Sequence, residues 1–184
     1  LAFAPAASSS LFVGVHEGFA PPRVEDSIAN DGGSIEVDAE QSTNFEAGFK
    51  SELMPGLKLD GTYFRNEFDN LVAGGSVAGG DQPLAQGEAL FEGFELASRF
   101  DSARFFRTGW NLYAQTAWTW LWTAEQSSGF RCVDQTNASC VANGGFIQGD
   151  TAGNRLPYVP EHLVTARLGY ATGNFDANVE LVFA

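Results

Sequence analysis

Seven segments of about ten residues each alternate apolar and polar side chains, and the links between them switch strictly between short and long. They cover Leu11 to Phe19, Ser42 to Glu52, Leu57 to Asn66, Gly87 to Phe100, Trp110 to Trp122, His162 to Ala171 and Phe175 to Ala184. The period of two is that of a strand with two unlike faces. Met54-Pro55-Gly56, Asp101 to Thr108 and Thr172-Gly173-Asn174 are short turns. The links Arg23 to Gln41, Glu67 to Gln86 and the stretch of more than thirty residues before His162 are long and rich in glycine. Short turns at one end and long loops at the other fit few folds, and the outer-membrane β-barrel is the foremost of them.

The faces can be read residue by residue. Phe45, Ala47 and Phe49 oppose Asn44, Glu46, Gly48 and Lys50. Leu57, Leu59, Gly61 and Tyr63 oppose Lys58, Asp60, Thr62 and Phe64. Leu90, Phe94, Leu96 and Phe100 oppose Gly93, Glu95, Ala97 and Arg99. The fifth segment puts Trp110, Leu112, Ala114, Thr116, Trp118, Trp120 and Trp122 on one side. All four tryptophans of the chain fall there. A compact soluble core has little room for such a row, whereas in a barrel Trp118, Trp120 and Trp122 form part of a lipid-facing aromatic girdle. On the opposite face, burying Lys50, Arg167, Asp176 or Glu180 in a dry core would cost several kcal/mol each. A wide, wet barrel removes that penalty.

Composition agrees. Gly contributes 21 residues and Phe 16, an all-β balance. The longest apolar runs fall far short of the roughly 20 residues of a membrane helix. Leu1 to Ser10 does not read as a signal peptide. The net charge of −13, with only ten Lys and Arg scattered along the chain, excludes a nucleic-acid partner. Glu25, Asp26, Asp31, Glu36, Asp38 and Glu40 read as a solvated acidic rim. Asn30-Asp31-Gly32-Gly33, Gly74-Gly75, Gly79-Gly80 and Gly144-Gly145 mark the long loops.

An odd number of strands leaves two edges of unpaired amides, which lipid cannot hydrate. The expectation is therefore an all-β, antiparallel transmembrane β-barrel of which residues 1–184 are an incomplete piece. Cys132 and Cys140 share one long loop. An exported loop can close a disulfide of this spacing; two free thiols are the alternative, and a zinc site would need further ligands. There is no nucleotide-binding, hydrolase, zinc-protease or EF-hand motif. His16 and Glu17, adjacent on a strand, point to opposite faces. His162 reads as a structural rim residue, and the Asn137-Ala138-Ser139 sequon carries little weight. No catalytic residue, metal or cofactor is expected.

Five segments carry a resemblance. Val15-His16-Glu17-Gly18-Phe19-Ala20-Pro21-Pro22 resembles a strand ending in Gly-Phe-x-x-Pro. Gln41 to Lys50 resembles E-x-S-x-x-Y/F-E-x-G-x-K/R, and Tyr63 to Leu71 is similar to Y-x-x-x-F-x-N-x-I. Phe91-Glu92-Gly93-Phe94-Glu95-Leu96 resembles x-x-G-x-E-x. Gly153 to His162 resembles G-N-x-L-P-x-V-P-x-H. In this order they resemble the barrel of TonB-dependent outer-membrane receptors, and the last motif is especially similar to ferric-citrate-type and related siderophore receptors. The resemblance implies a barrel of about 22 strands closed by a plug domain, with about seven of those strands here and the plug and its coupling box absent. It implies TonB-energised import of a ferric siderophore or similar iron chelate across the outer membrane of a Gram-negative bacterium, with outer-membrane lipid around the wall. Arg23, Arg131 and Arg155 lie in outer loops, where guanidinium groups can engage an anionic chelate. Solvated arginines balancing local acid are the plainer alternative. Tyr158, with Phe130 and Phe146, can contact ligand rings. A passive porin-like or structural barrel is the alternative function, and a soluble β-sandwich binding module a third.

Overall fold

A computed structural model describes residues 1–6, 8–23, 33–34, 36–73, 85–135, 137–147, 152–156 and 158–184. The Gly74-Gly75 and Gly79-Gly80 signals, Glu25, Asp26, Asp31 and Pro157 lie outside the described residues, as does most of the Asn30-Asp31-Gly32-Gly33 turn. The chain forms one antiparallel sheet. Its strands are β1 (Ala2–Ala6), β2 (Ser9–Ala20), β3 (Glu40–Met54), β4 (Leu57–Ala73), β5 (Ala85–Asp101), β6 (Trp110–Gln126), β7 (Arg131–Cys132), β8 (His162–Thr172) and β9 (Phe175–Phe183). Neighbours follow chain order from β1 to β9, except that β7 pairs with the start of β5 and β6 pairs directly with β8. No helix among the described residues is long and apolar enough to cross a membrane.

The structure adds two strands to the seven read from the sequence. β7 is a two-residue rung within a loop. β1 joins β2 through a tight link, with Ala6 opposite Ser9. Alanines and Pro5 hide it, because neither residue type favours strands. The alternation of short and long links survives this addition. Among the described residues β1 pairs only with β2 and β9 only with β8, so the sheet is open at both ends.

Register makes the apolar face continuous. Leu11 and Val13 lie opposite Phe49 and Ala47, which lie opposite Gly61 and Tyr63. The row continues through Leu96 and Phe94 to Trp118 and Trp120. Val164 follows Trp118, and Phe183 follows Val164. A slip of one residue at any joint would move the rest of this row to the other face. Val15, Leu168, Leu181 and Phe183 are each more than half exposed, so no second layer covers them. The reverse face is polar. There Arg167 and Glu180 form a cross-strand ion pair, and Arg99 reaches Asp101 at 2.7 Å.

Four directly opposed pairs join an aromatic ring to a glycine: Phe12 with Gly48, Phe49 with Gly61, Phe64 with Gly93, and Tyr113 with Gly169. Each ring occupies the space where the glycine's side chain would stand. This cross-strand packing explains why a chain rich in Phe is also rich in Gly.

The short-turn end is tightly bonded. The segment Asp101 to Thr108, expected as a polar turn, holds a helix, α1 (Ser102–Phe106), closed by Arg107 in the left-handed region. Asn111 accepts from the Ala103 amide at 3.0 Å and donates to Asp101 at 2.9 Å. Arg104 pairs with Glu52 at 3.0 Å, and the Asp101 amide donates to the Gly56 carbonyl at 2.7 Å. These contacts tie α1 to the β3–β4 turn.

Candidate functional site

At the opposite end the strands outrun the apolar face, and the long connection after β6 folds back on them. Its first part continues the β5 ladder: Arg131 pairs with Gln86 and Cys132 with Ala85. A second helix, α2 (Ala138–Ala142), begins at Asn137, whose side chain accepts from the Ser139 amide at 3.0 Å. The sequon asparagine is thus a helix cap. Cys132 and Cys140 are joined in a disulfide, with Cα atoms 6.1 Å apart. Gln135 donates to the Cys132 carbonyl, and the amides of Cys132 and Ile147 donate to Gly145 and Phe130. Ala89, Ala124, Phe130, Cys132 and Cys140 are the best-buried apolar residues of the described chain. Phe130 sits over Gly87. By strand alternation Gly87 lies on the same side as Ala89, the polar side of the sheet. The loop therefore packs toward the face that carries the charges.

The returning part runs beside β6. Leu156 donates to the Ala124 carbonyl at 2.7 Å, Gly153 to Gln126 at 2.7 Å, and Leu121 to Glu161 at 2.8 Å. Between these bonds β6 carries a bulge, seen as a register shift opposite Glu92 and Gly93. Trp122 is the extra residue. It stacks on Tyr63 at 6.0 Å and meets Trp120 edge-on at 5.2 Å. Trp118 and Trp120 lie parallel at 6.1 Å. His162 stacks against both, at 5.9 Å from each, and accepts from the Trp118 indole at 3.3 Å. Phe45 extends the band through Tyr63. A second aromatic group, Trp110 with Tyr170 at 6.5 Å and Phe100 with Phe105 at 6.2 Å, marks the short-turn end.

The four residues expected to meet a ligand are not brought into one cluster. Arg131 lies over the Phe146 ring at 5.4 Å, on the side of the sheet opposite Phe130. It lines an open cleft of about 430 Å³ together with Asp69, Gln86, Glu88 and Ser128. Arg155 donates to the Leu121 carbonyl at 2.9 Å, at the β6 bulge. Tyr158 is fully exposed, with φ of 61°. Arg23 is exposed just past the prolines that end β2. No group of three or more His, Cys, Asp or Glu among the described residues is placed to hold a metal ion. Sequence reasoning missed the folded character of the loop. Its available signals were Phe130 beside the two cysteines and an asparagine two residues before a serine.

A meandering antiparallel sheet with one apolar face, one charged face, tight turns at one end and folded long connections at the other defines the wall of an outer-membrane β-barrel. The family of TonB dependent receptor-like β-barrels matches residues 1–183. The chain belongs to that family, whose members are transport receptors of the bacterial outer membrane and not enzymes. No individual curated protein matches the chain.

Proposed function

We propose that this chain supplies wall and outer loops to a receptor that binds a ferric siderophore or similar iron chelate and imports it with energy from TonB. The observation that supports this reading best is the loop after β6. A barrel that only needed closing would have no use for a disulfide-bonded, capped and partly buried fold on the charged side of its rim, whereas a receptor needs such a surface for recognition. In this reading the two open edges join further strands of a barrel of about 22 strands, and a plug domain with the TonB coupling box fills it. Trp118, Trp120 and Trp122 face lipid at the outer interface. Trp110 and Trp120 are ten residues apart on β6, about 33 Å along a strand. At a tilt of about 40° that rises about 25 Å, the height of an outer-membrane apolar band. In this reading Tyr158, Arg23 and Arg155 stand near the ligand's path, while Arg131 stands on the outward side of the wall.

Growth on single iron sources, with and without the intact gene in an iron-uptake-deficient Gram-negative host, tests this reading. The gene should restore growth on at least one ferric chelate, and only when TonB is present. Restoration independent of TonB would instead indicate a passive pore, and no restoration on any iron source would remove iron from the proposal.

A further inference from the structure

The link between β5 and β6 does more than close a hairpin. It spends a helical turn on Phe105 and Phe106, which are 44% and 61% exposed. Ring contacts fix their direction. Phe105 packs on Phe100 at 6.2 Å and meets Phe106 edge-on at 4.8 Å. Phe100 lies on the apolar face, opposite Leu57 on one side and Ala114 on the other. Through Phe105 the two rings of α1 therefore prolong the lipid-facing surface past the end of β5. Beside them the β3–β4 turn leaves Leu53 and Met54 58% and 43% exposed. α1 packs on that turn: a Cβ on Gly56 would stand 2.5 Å from the Asp101 carbonyl oxygen and 3.2 Å from Arg104 Cβ. Leu53, Met54, Phe105 and Phe106 thus form one apolar ledge across two adjacent turns.

The helix ends at Arg107 with φ of 56°, where a residue bearing a Cβ is strained and glycine is the ordinary choice. The carboxylates that α1 touches are matched. Arg104 pairs with Glu52 at 3.0 Å, and Arg99 with Asp101 at 2.7 Å. Arg107 is exposed and forms no ion pair among the described residues. An uncompensated cation beside an apolar ledge complements a lipid, whose acyl chains meet the ledge while its anionic headgroup meets the charge.

We propose that α1 and the β3–β4 turn form an interfacial anchor for anionic phospholipid of the periplasmic leaflet. The four apolar side chains enter the acyl region and Arg107 engages the headgroup phosphate. Such an anchor depends only on the barrel, whose short turns face the periplasm, and not on what the receptor carries. Lipid is favoured over a protein partner because the ledge runs on without a break from a face that lipid already covers.

The full-length receptor in vesicles of phosphatidylglycerol and phosphatidylcholine tests this. A nitroxide on Phe106→Cys should be relaxed more by oxygen than by a water-soluble nickel chelate, in the same order as one on Leu181→Cys inside the apolar band. The reverse order at Phe106 places the ledge in water, and shielding from both reagents places it under protein; either result overturns the anchor. Lipids still bound after release from the membrane, counted by native mass spectrometry, should favour phosphatidylglycerol about fivefold more in the unaltered receptor than in Arg107→Gln. Arg107→Lys should keep that preference. Arg107→Gly removes the backbone strain along with the charge, so it should fold at least as well and still lose the preference. An unchanged preference in both Arg107→Gln and Arg107→Gly would overturn the headgroup assignment.

Discussion

Two glycines on neighbouring strands should respond very differently to the same added methyl group. At Gly61 a Cβ would stand 2.5 Å from Phe49 Cε1 and 3.2 Å from Phe94 Cζ, and its close neighbours are side chains. Ordinary contact begins near 3.4 Å, so the Phe49 ring must move by about 1 Å. It can do so by swinging out over an open face, where lipid replaces the lost protein contacts. Gly61→Ala should therefore cost about 1 kcal/mol, the low end of overpacking. At Gly48 the Cβ would meet Phe12 Cζ at 2.6 Å and also press on the carbonyl oxygen of Gly61. That carbonyl is fixed by the β3–β4 ladder and cannot swing away. Gly48→Ala should cost about 3 kcal/mol, the upper end of the same range. Double-mutant cycles separate the two causes. In a Phe49→Ala background the penalty of Gly61→Ala should vanish, whereas in a Phe12→Ala background most of the Gly48→Ala penalty should persist. Unfolding of the full-length barrel in guanidinium and phospholipid vesicles, followed by tryptophan fluorescence, measures all four differences. Equal penalties for the two glycines, or complete rescue of Gly48→Ala by Phe12→Ala, would refute the reasoning.

Serine at both Cys132 and Cys140 opens a nine-residue ring, worth about 2.5 kcal/mol of chain entropy by loop closure. The loss should be local: amide exchange across 130–147 should rise more than tenfold, while the barrel's unfolding midpoint stays within error. Asn111→Ala removes the acceptor for Ala103 and the donor to Asp101. It should destabilise the short-turn end by about 1–3 kcal/mol, seen as faster exchange in 101–107. Phospholipids brominated near the headgroup should quench fluorescence from Trp118 and Trp120 in single-tryptophan versions, and from Trp110 as well. Bromines at the bilayer centre should quench none of them strongly, and strong central quenching of Trp120 would displace the proposed interface.

The parts of this fold legible in the sequence are those where side-chain alternation is strong. The row Trp110 to Trp122 defines β6 and its face without help from any neighbour, because indoles and small polar residues differ so sharply. Leu57 to Tyr63 does the same for β4. Legibility falls where both faces meet the same surroundings. Beyond Asn66 the polar residues Glu67, Asp69 and Asn70 read as loop, yet β4 continues to Ala73 because β5 offers it a ladder. Water on both sides above a membrane leaves no contrast for the sequence to record. β1 was hidden for a different reason: its alanines carry little preference, and pairing with β2 decides its conformation. The candidate site suffered most. Arg131 and Arg155 are equally plain as loop arginines, and only the fold distinguishes a guanidinium stacked on Phe146 from one bonded to the carbonyl before a bulge.

The length of the strands links these observations. β4, β5 and β6 each contain 17 residues, whereas a tilted strand crosses the hydrocarbon in about 9–11. About six residues per strand must therefore stand outside the bilayer. The short-turn end has little excess, because the helix α1 and the β3–β4 turn close directly beneath Trp110 and Phe100. The surplus lies at the loop end, where the sheet continues past Trp120 as a wet collar. In that collar the alternation of faces no longer has to separate lipid from water, so both sides can carry charge. Arg65, Glu67 and Glu92 accordingly occupy the continuation of the apolar face. The same freedom lets β6 bulge at Trp122 and lets the next connection pack on the collar through Phe130 and Cys132. The charges on both faces of the collar and the folded loop thus have one structural origin: strands that outlast the membrane and hold the long connections above it.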